Sequence, residues 1–325
     1  MAQAVIFERT GGPEVLQLVD TQVGEPGAGQ VRVRHEAVGL NFADTYFRTG
    51  LYPAPLPNGM GVEAAGVVEE VGPGVLDIVR GDRVTYTGSP LGAYSTERVM
   101  PADTLIKLPD AIPTETAAGM TMRGLTASYL LRRIHPGLGA GDSVVLHAAA
   151  GGVGLIVCQW ARLLGIRVIG VVSTQEKAEV ARAFGAAETI VHRSEDVEKR
   201  VRELTDGEGV PVVFDSVGQA TFDTSLRCLS RRGLLVCFGT ASGPIPPINA
   251  VDLATRGSLF VTRPALADYI ADPAERAELA GELFGHVAAG DIRIDINQRY
   301  PLAEAARAHR DLEAGLSVGS SILTL

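Results

Sequence analysis

Between Ala149 and Gly154 the chain reads Ala-Ala-Gly-Gly-Val-Gly, and this is the stretch best suited to chemistry. Residues without a Cβ let a backbone approach an anion closely, and the free N–H groups at a helix start face that anion. Gly151, Gly152, Val153 and Gly154 follow the spacing of a dinucleotide fingerprint, with Ala149 in the place of its first glycine. The flanks supply the context the fingerprint needs. Ser143–His147 is apolar and β-branched, as a buried strand is. Val153, Ile156, Val157, Trp160, Leu163 and Leu164 recur at helical spacing, and Gly165 stands where a helix ends in a left-handed residue. Arg167–Val172 is a second buried strand. Strand, glycine turn, helix and strand make half of a dinucleotide-binding fold, so the turn is expected to hold a pyrophosphate.

The tip of the second strand selects the dinucleotide. NAD sites place Asp or Glu about 20 residues after the glycines, where it bonds a ribose 2′-hydroxyl. Here Ser173 and Thr174 stand in that place, Lys177 follows, and His192-Arg193 close a later strand. A carboxylate would repel a 2′-phosphate, whereas hydroxyls and cations hold one. The expected cofactor is NADPH rather than NADH.

These groups need a frame, and the pattern on both sides of the turn describes it. From residue 143 onward strands expected near 143–147, 167–172, 188–191, 210–215, 233–238 and 258–261 alternate with helices near 153–164, 175–184, 195–205 and 220–229. That alternation implies a parallel, doubly wound sheet. The first 110 residues read differently. Short strand-like runs at 4–7, 15–19, 30–38, 64–71 and 82–86 are separated by glycine and proline turns, and 41–50 forms a short helix. A tail of helix (274–289), strand (292–300) and helix (302–314) is expected to rejoin this β-rich part. The class is α/β.

Composition limits the function. The net charge of −9 opposes a surface built for nucleic acid or an anionic membrane. Three cysteines and six histidines form no cluster with zinc-ligand spacing, so no metal is expected, and the few cysteines suit a reducing cytoplasm. The N-terminal residues carry no secretory h-region, and the apolar run at 143–158 is broken by His147 and glycines, so no membrane span is expected. No Ser/His/Asp arrangement is legible either.

Several blocks together carry a resemblance: Gly11-Gly12-Pro13-Glu14-Val15, Asn41-Phe42-x-Asp44-x-Tyr46, Gly50-Leu51-Tyr52-Pro53, Gly81-Asp82-Arg83-Val84, the turn at 147–154, and Val261-Thr262-Arg263-Pro264. From end to end the chain resembles the zeta-crystallin-type NADPH:quinone oxidoreductases of the medium-chain dehydrogenase/reductase superfamily. The resemblance implies a GroES-like catalytic domain (1–122, completed by 265–325), a Rossmann domain (123–264), and a homodimer. Zinc-dependent relatives carry a cysteine near the place of Asn41 and a Gly-His-Glu block where this chain has Gly61-Val62-Glu63. The family would use Gly151–Gly154 for pyrophosphate and Ser173, Thr174, Lys177 and His192 for the 2′-phosphate. Phe238, Gly239, Thr240, Val261 and Arg263 would meet nicotinamide and ribose, with Phe42, Asp44, Thr126, Tyr129 and Ser216 in support.

A site without a metal has no Lewis acid to hold an alkoxide, so alcohol oxidation is not expected. A quinone accepts electrons or hydride readily, and the protein need mainly orient two rings. Asn41 is expected to hydrogen-bond a quinone oxygen or the nicotinamide ribose, and Tyr46 and Tyr52 to donate to a developing oxyanion. The expected activity is NADPH:quinone reduction. The alternatives are an enone or 2-alkenal reductase using the same cofactor, or a cofactor-binding structural or RNA-associating protein with little turnover.

Overall fold

The computed structural model describes residues 1–325. Two compact units divide the chain. The first comprises residues 1–125, 273–289 and 294–325, and the second 126–272 and 290–293. One division falls inside the helix Thr114–Arg132, and another just before the helix Pro273–Ala289. The expected boundaries were 122/123 and 264/265.

In the first unit a seven-stranded sheet runs Ile296–Pro301, Ser320–Thr324, Gln30–Gly39, Glu63–Val71, Arg83–Thr87, Ile106–Lys107, and Glu97–Pro101 also pairs with Gln30–Gly39. Alternation fixes its central strand: Val31, Val33 and Ala37 are buried, whereas Arg34 and Glu36 face water. The same unit holds a three-stranded sheet in the order Gln17–Thr21, Ala2–Phe7, Asn58–Gly59. The expected strand at 15–19 begins later because Pro13–Val15 winds into a 3₁₀ turn, proline being pre-set for a helical start. Four strands were not expected, among them the two-residue strands Asn58–Gly59 and Ile106–Lys107. Ser320–Thr324 is a short apolar run that reads as strand only once paired, and Glu97–Pro101 ends on a proline.

Of the tail, residues 273–289 and 294–325 lie in the first unit. The helix Ala305–Glu313 buries Ala305, Ala308, His309 and Leu312, an i, i+3, i+4, i+7 stripe. The residues 41–50 form the helix Phe42–Thr49, opened by Asn41 and ended by Gly50 in the left-handed conformation (φ 83°).

The second unit is a six-stranded, wholly parallel sheet in the order Glu188–Val191, Arg167–Val172, Ser143–His147, Val210–Asp215, Leu229–Cys237, Phe260–Thr262. Numbered within the unit, that order is 3-2-1-4-5-6, the doubly wound arrangement whose direction reverses between the first and fourth strands. Strands buried on both faces read as unbroken apolar runs, which is why their positions were legible. The helix Gly152–Leu163 packs with Trp160 fully enclosed. The helix Ala250–Thr255, which buries no residue and has no apolar stripe, was not expected.

Candidate active site

The strand Ser143–His147 delivers the chain into the glycine turn. Ala148 takes a left-handed backbone (φ 53°), rare for a residue with a Cβ, and its carbonyl accepts the Gly151 N–H at 2.9 Å. Gly151 caps the helix that starts at Gly152 without any side-chain bond. The first intrahelical bond runs from Leu155 N–H to the Gly151 carbonyl, so the N–H groups of Gly152, Val153 and Gly154 precede it, at the positive end of the helix dipole. A Cβ on Gly154 would stand 2.5 Å from the Ala148 carbonyl oxygen and 2.6 Å from that of Ala149. Only glycine permits this closeness of turn and helix. The geometry suits a pyrophosphate.

All the other candidates of this unit lie at the carboxyl ends of the same parallel strands or on the helix Thr114–Arg132. Ser173 and Thr174 follow Arg167–Val172, His192 follows Glu188–Val191, and Ser216 follows Val210–Asp215. Phe238, Gly239 and Thr240 follow Leu229–Cys237, Val261 lies in the last strand, and Arg263 follows it. Ligands of doubly wound sheets bind at this edge. The Thr174 hydroxyl accepts the Lys177 N–H at 3.3 Å and so caps the helix Gln175–Ala183. Lys177 is half-buried on that first turn. Its ammonium is pushed below the usual lysine range by burial and then by the nearby Arg193, and the exposed His192 is lowered by burial and by the same arginine. Arg193 thus neighbours both Lys177 and His192, and the tip residues Ser173 and Thr174 put no carboxylate there. Arg263 is exposed, with a guanidinium N–H on the Pro264 carbonyl at 3.0 Å. Thr126 and Tyr129 are buried, and Tyr129 stacks on Tyr269 with centroids 4.3 Å apart and planes within 10°.

A Ser/His/Asp cluster does exist here, contrary to the sequence expectation. His147 Nε2 lies 3.0 Å from the Ser225 hydroxyl, which lies 2.7 Å from Asp215 Oδ2. Asp215 can only accept, so the serine donates to it and accepts from His147. Serine stands between the other two, and all three are buried. It therefore serves as a tie rather than a nucleophile. Asp215 also accepts the Thr221 hydroxyl (2.7 Å) and the N–H groups of Val217 (2.8 Å) and Gly218 (3.1 Å). The tie joins the ends of the first and fourth strands, where the sheet reverses. Sequence spacing hid it because His147 ends a strand and Ser225, 78 residues on, comes from the helix Phe222–Cys228.

In the first unit, Asn41, Phe42 and Tyr46 are held by the helix Phe42–Thr49, and Tyr52 follows it. Tyr46 and Tyr52 meet edge to face, centroids 5.2 Å apart. Phe42 lies 6.3 Å from Tyr46, and Phe47 lies 5.5 Å from Tyr52. The Tyr52 N–H donates to the Tyr46 carbonyl at 3.0 Å, fixing the loop on the helix end. Structure and sequence part at Asp44. Expected among the cofactor contacts, it is wholly enclosed, and its oxygens are taken up within the unit. Oδ2 accepts the Asn41 N–H (2.7 Å) and the Tyr94 hydroxyl (2.9 Å), and Oδ1 accepts the Val62 N–H (3.1 Å). Asp44 is a cap and an anchor, with no face left for a ligand. Burial pushes its carboxyl up to about 7 against the pull of these donors.

Asn41 is also more constrained than expected. Its side-chain N–H donates to Glu63 Oε2 at 2.7 Å, while Glu63 Oε1 accepts the Met122 N–H at 2.6 Å. Arg123 stands 3.8 Å from Glu63 and donates to the carbonyls of Gly119 (3.0 Å) and Leu40. Glu63 is raised to about 7, first by burial, with Arg123 opposing. Glu63, Tyr94, Arg123 and His309 were not among the expected site residues.

Two family models match the chain. The alcohol dehydrogenase GroES-like domain matches residues 27–110, and the zinc-binding dehydrogenase family matches 152–271. A quinone oxidoreductase of Pseudomonas aeruginosa is 54% identical over 324 residues, 99% of each chain. The chain belongs to the quinone oxidoreductase family. Within that family, of the medium-chain dehydrogenase/reductase superfamily, the crystal structure of Escherichia coli quinone oxidoreductase complexed with NADPH superposes with a TM-score of 0.97. It is 47% identical, with 99% of this chain and 100% of that one covered. A 2-haloacrylate reductase of a Burkholderia species is 47% identical over 99% of each chain. The name of the second matching family mentions zinc. In this quinone oxidoreductase homologue no three His, Cys, Asp or Glu side chains converge, and Glu63, in the former Gly-His-Glu position, is committed to Asn41 and Met122. No helix is long and apolar enough to cross a membrane.

Proposed function

We propose that the protein is an NADPH-dependent quinone reductase. One observation carries the cofactor assignment: hydroxyls and two neighbouring cations, Lys177 and Arg193, stand with His192 beyond the strand ends where an NAD enzyme keeps a carboxylate. The quinone assignment rests on the relatives at 48–54% identity that carry that name. The glycine turn fits a pyrophosphate because its helix N-terminus is open and its backbone approaches closely. Bound NADPH would supply the reducing equivalents.

The residues then act as holders and donors. Gly151–Gly154 bind pyrophosphate, and Ser173, Thr174, Lys177 and His192 bind the 2′-phosphate. Ser216, Phe238–Thr240, Val261 and Arg263, with Thr126 and Tyr129 behind them, line the remainder of the cofactor. Asn41, Phe42, Tyr46 and Tyr52 orient the acceptor, and the two phenols stabilise the oxyanion that forms as it is reduced. Asn41 enters this arrangement with one amide N–H already committed to Glu63.

A second reading is supported by the haloacrylate-reducing relative: reduction of a C=C bond conjugated to a carbonyl. NADPH oxidation with 1,4-benzoquinone, 9,10-phenanthrenequinone and a small enone separates the two. Turnover confined to the enone rejects the quinone assignment.

A homodimer is proposed through the last strand of the parallel sheet. Phe260–Thr262 pairs on one side only, and Phe260 is 60% exposed, Val251 64%. Such an edge is completed by a second copy. Sedimentation should give a dimer, and Phe260→Asp a monomer. A cytoplasmic site is supported by three buried, unpaired cysteines, each pushed up to about 12 by burial.

A further inference from the structure

Two charged residues of the helix Phe42–Thr49 sit one turn apart on one face, Asp44 and Arg48. Such a pair would ordinarily bond directly. Here two side chains from distant sequence are inserted between them. Tyr94 hydroxyl lies 2.9 Å from Asp44 Oδ2 and 3.0 Å from His309 Nε2, and His309 Nδ1 lies 3.1 Å from an Arg48 guanidinium nitrogen. All four are at most 1% exposed.

Proton positions follow from chemistry alone. Arg48 can only donate, so His309 Nδ1 is the bare, accepting nitrogen. The imidazole proton is then on Nε2 and donates to Tyr94, and Tyr94 donates to the carboxylate of Asp44. Every bond points the same way, and the ring closes through the helical turn. Arg48 is fixed further by Glu313 (3.0 and 2.6 Å) and the Gly11 carbonyl (3.1 Å), so it cannot turn away. Tyr94 is fixed by its packing on Gly61, where a Cβ would come within 2.1 Å of the ring at a φ of 95°. Burial and Arg48 together hold His309 neutral, at about 3.

We propose that Tyr94 and His309 form a clasp that positions the helix carrying Asn41, Phe42 and Tyr46, so that the C-terminal helix Ala305–Glu313 governs acceptor turnover. Both are positioning residues. Asp44 is the link, because its clasped carboxylate also receives the Asn41 N–H. This inference rests on the proposed role of Asn41 and Tyr46, and its test separates the two.

The test uses the full chain and Tyr94→Phe, which removes one hydroxyl. Nitrogen NMR of the wild type should show His309 protonated at Nε2 and bare at Nδ1. The opposite tautomer overturns the directed ring. In Tyr94→Phe, amide hydrogen exchange in residues 42–49 should quicken at least tenfold while residues 143–172 keep wild-type rates. kcat/KM for 1,4-benzoquinone should fall at least tenfold, with the NADPH Kd within twofold. Wild-type exchange in 42–49, equal quickening throughout the chain, or quickened exchange with unchanged kcat/KM in an active enzyme each overturns the clasp. A wild type inactive with benzoquinone rejects the functional reading, and the exchange data still decide the clasp. Should Tyr94→Phe not fold, His309→Gln keeps one acceptor and one donor and should fall between wild type and His309→Leu. Identical behaviour of those two variants overturns the assignment.

Discussion

The two units solve the placing of chemical groups in opposite ways. In the parallel-sheet unit every strand ends at one edge, so consecutive βα connections bring Gly151, Ser173, His192, Ser216, Gly239 and Arg263 to it from one repeated rule. In the β-rich unit the candidate groups ride on an eight-residue helix that is too short to hold itself. Side chains from residues 63, 94 and 309 hold it instead. The first site is placed by backbone topology, the second by a buried polar network. Damage should therefore look different: loss of cofactor affinity in one case, loss of turnover or a change in pH dependence in the other.

The largest expected effect attacks the backbone-placed site. Gly154→Val sets carbon where the Ala148 and Ala149 carbonyl oxygens lie 2.5–2.6 Å away, so the turn must open. Overpacking of this kind costs roughly 1–3 kcal/mol for a small intrusion, and a branched side chain at a phosphate cradle should weaken NADPH by about 100-fold or more. Calorimetric titration measures it. Near wild-type affinity would mean the pyrophosphate does not lie on this turn.

Lys177→Ala is milder and more selective. One charge-assisted bond to phosphate contributes about 1.5–3 kcal/mol, so the KM for NADPH should rise about 10- to 100-fold. NADH, without the 2′-phosphate, should hardly respond. An equal loss with both cofactors would remove Lys177 from the 2′-phosphate and return it to the general surface.

The same contrast explains what was legible beforehand. Ser143–His147, the glycine turn and Arg167–Val172 declare themselves because buried parallel strands and phosphate turns carry local signatures. The helix at 42–49 was legible from its glycine stop. Its supports were not. Asp44 stands among the expected cofactor contacts only through the family resemblance. Only the approach of Tyr94, 50 residues away, shows it to be consumed. Asp44 and Arg48 stand at the spacing of an ordinary helix pair, and nothing local announces that His309 enters between them from 261 residues away. The Ser225 tie escaped for the same reason. Ser320–Thr324 was missed because a five-residue strand is specified by its neighbours rather than by its own sequence.

The buried network should show itself in pH dependence, through Glu63. Its carboxyl is raised to about 7, and that of Asp44 likewise. Acids whose folded pKa exceeds the unfolded value contribute stability at low pH, and lose it as pH rises toward 7. His35 and His309 do the reverse. Depressed to about 4 and about 3, they contribute above the unfolded value of about 6.5 and lose that as pH falls. Between pH 5 and 8 the two pairs oppose one another, so wild-type stability should vary little. Glu63→Gln removes one of the two acids and tips the balance. Its unfolding free energy should then rise from pH 5 to pH 8 by about 1–3 kcal/mol more than that of the wild type. Urea titrations at both pH values measure it, and parallel changes in the two proteins would deny Glu63 a raised pKa.

The smallest expected effect is none. Zinc sites need three or four ligands from cysteine, histidine or carboxylate, and the relevant positions are otherwise engaged. Asn41 stands where zinc-dependent relatives have cysteine, and Glu63 spends its oxygens on Asn41 and the Met122 N–H. The three cysteines are buried at 158, 228 and 237, protonated by burial, and belong to the other unit. Prolonged dialysis against a strong chelator should leave NADPH oxidation with benzoquinone within error of the untreated enzyme. A loss reversed by zinc would require Glu63 to release Asn41, and the contrast between the two units would then have to be rebuilt around a metal.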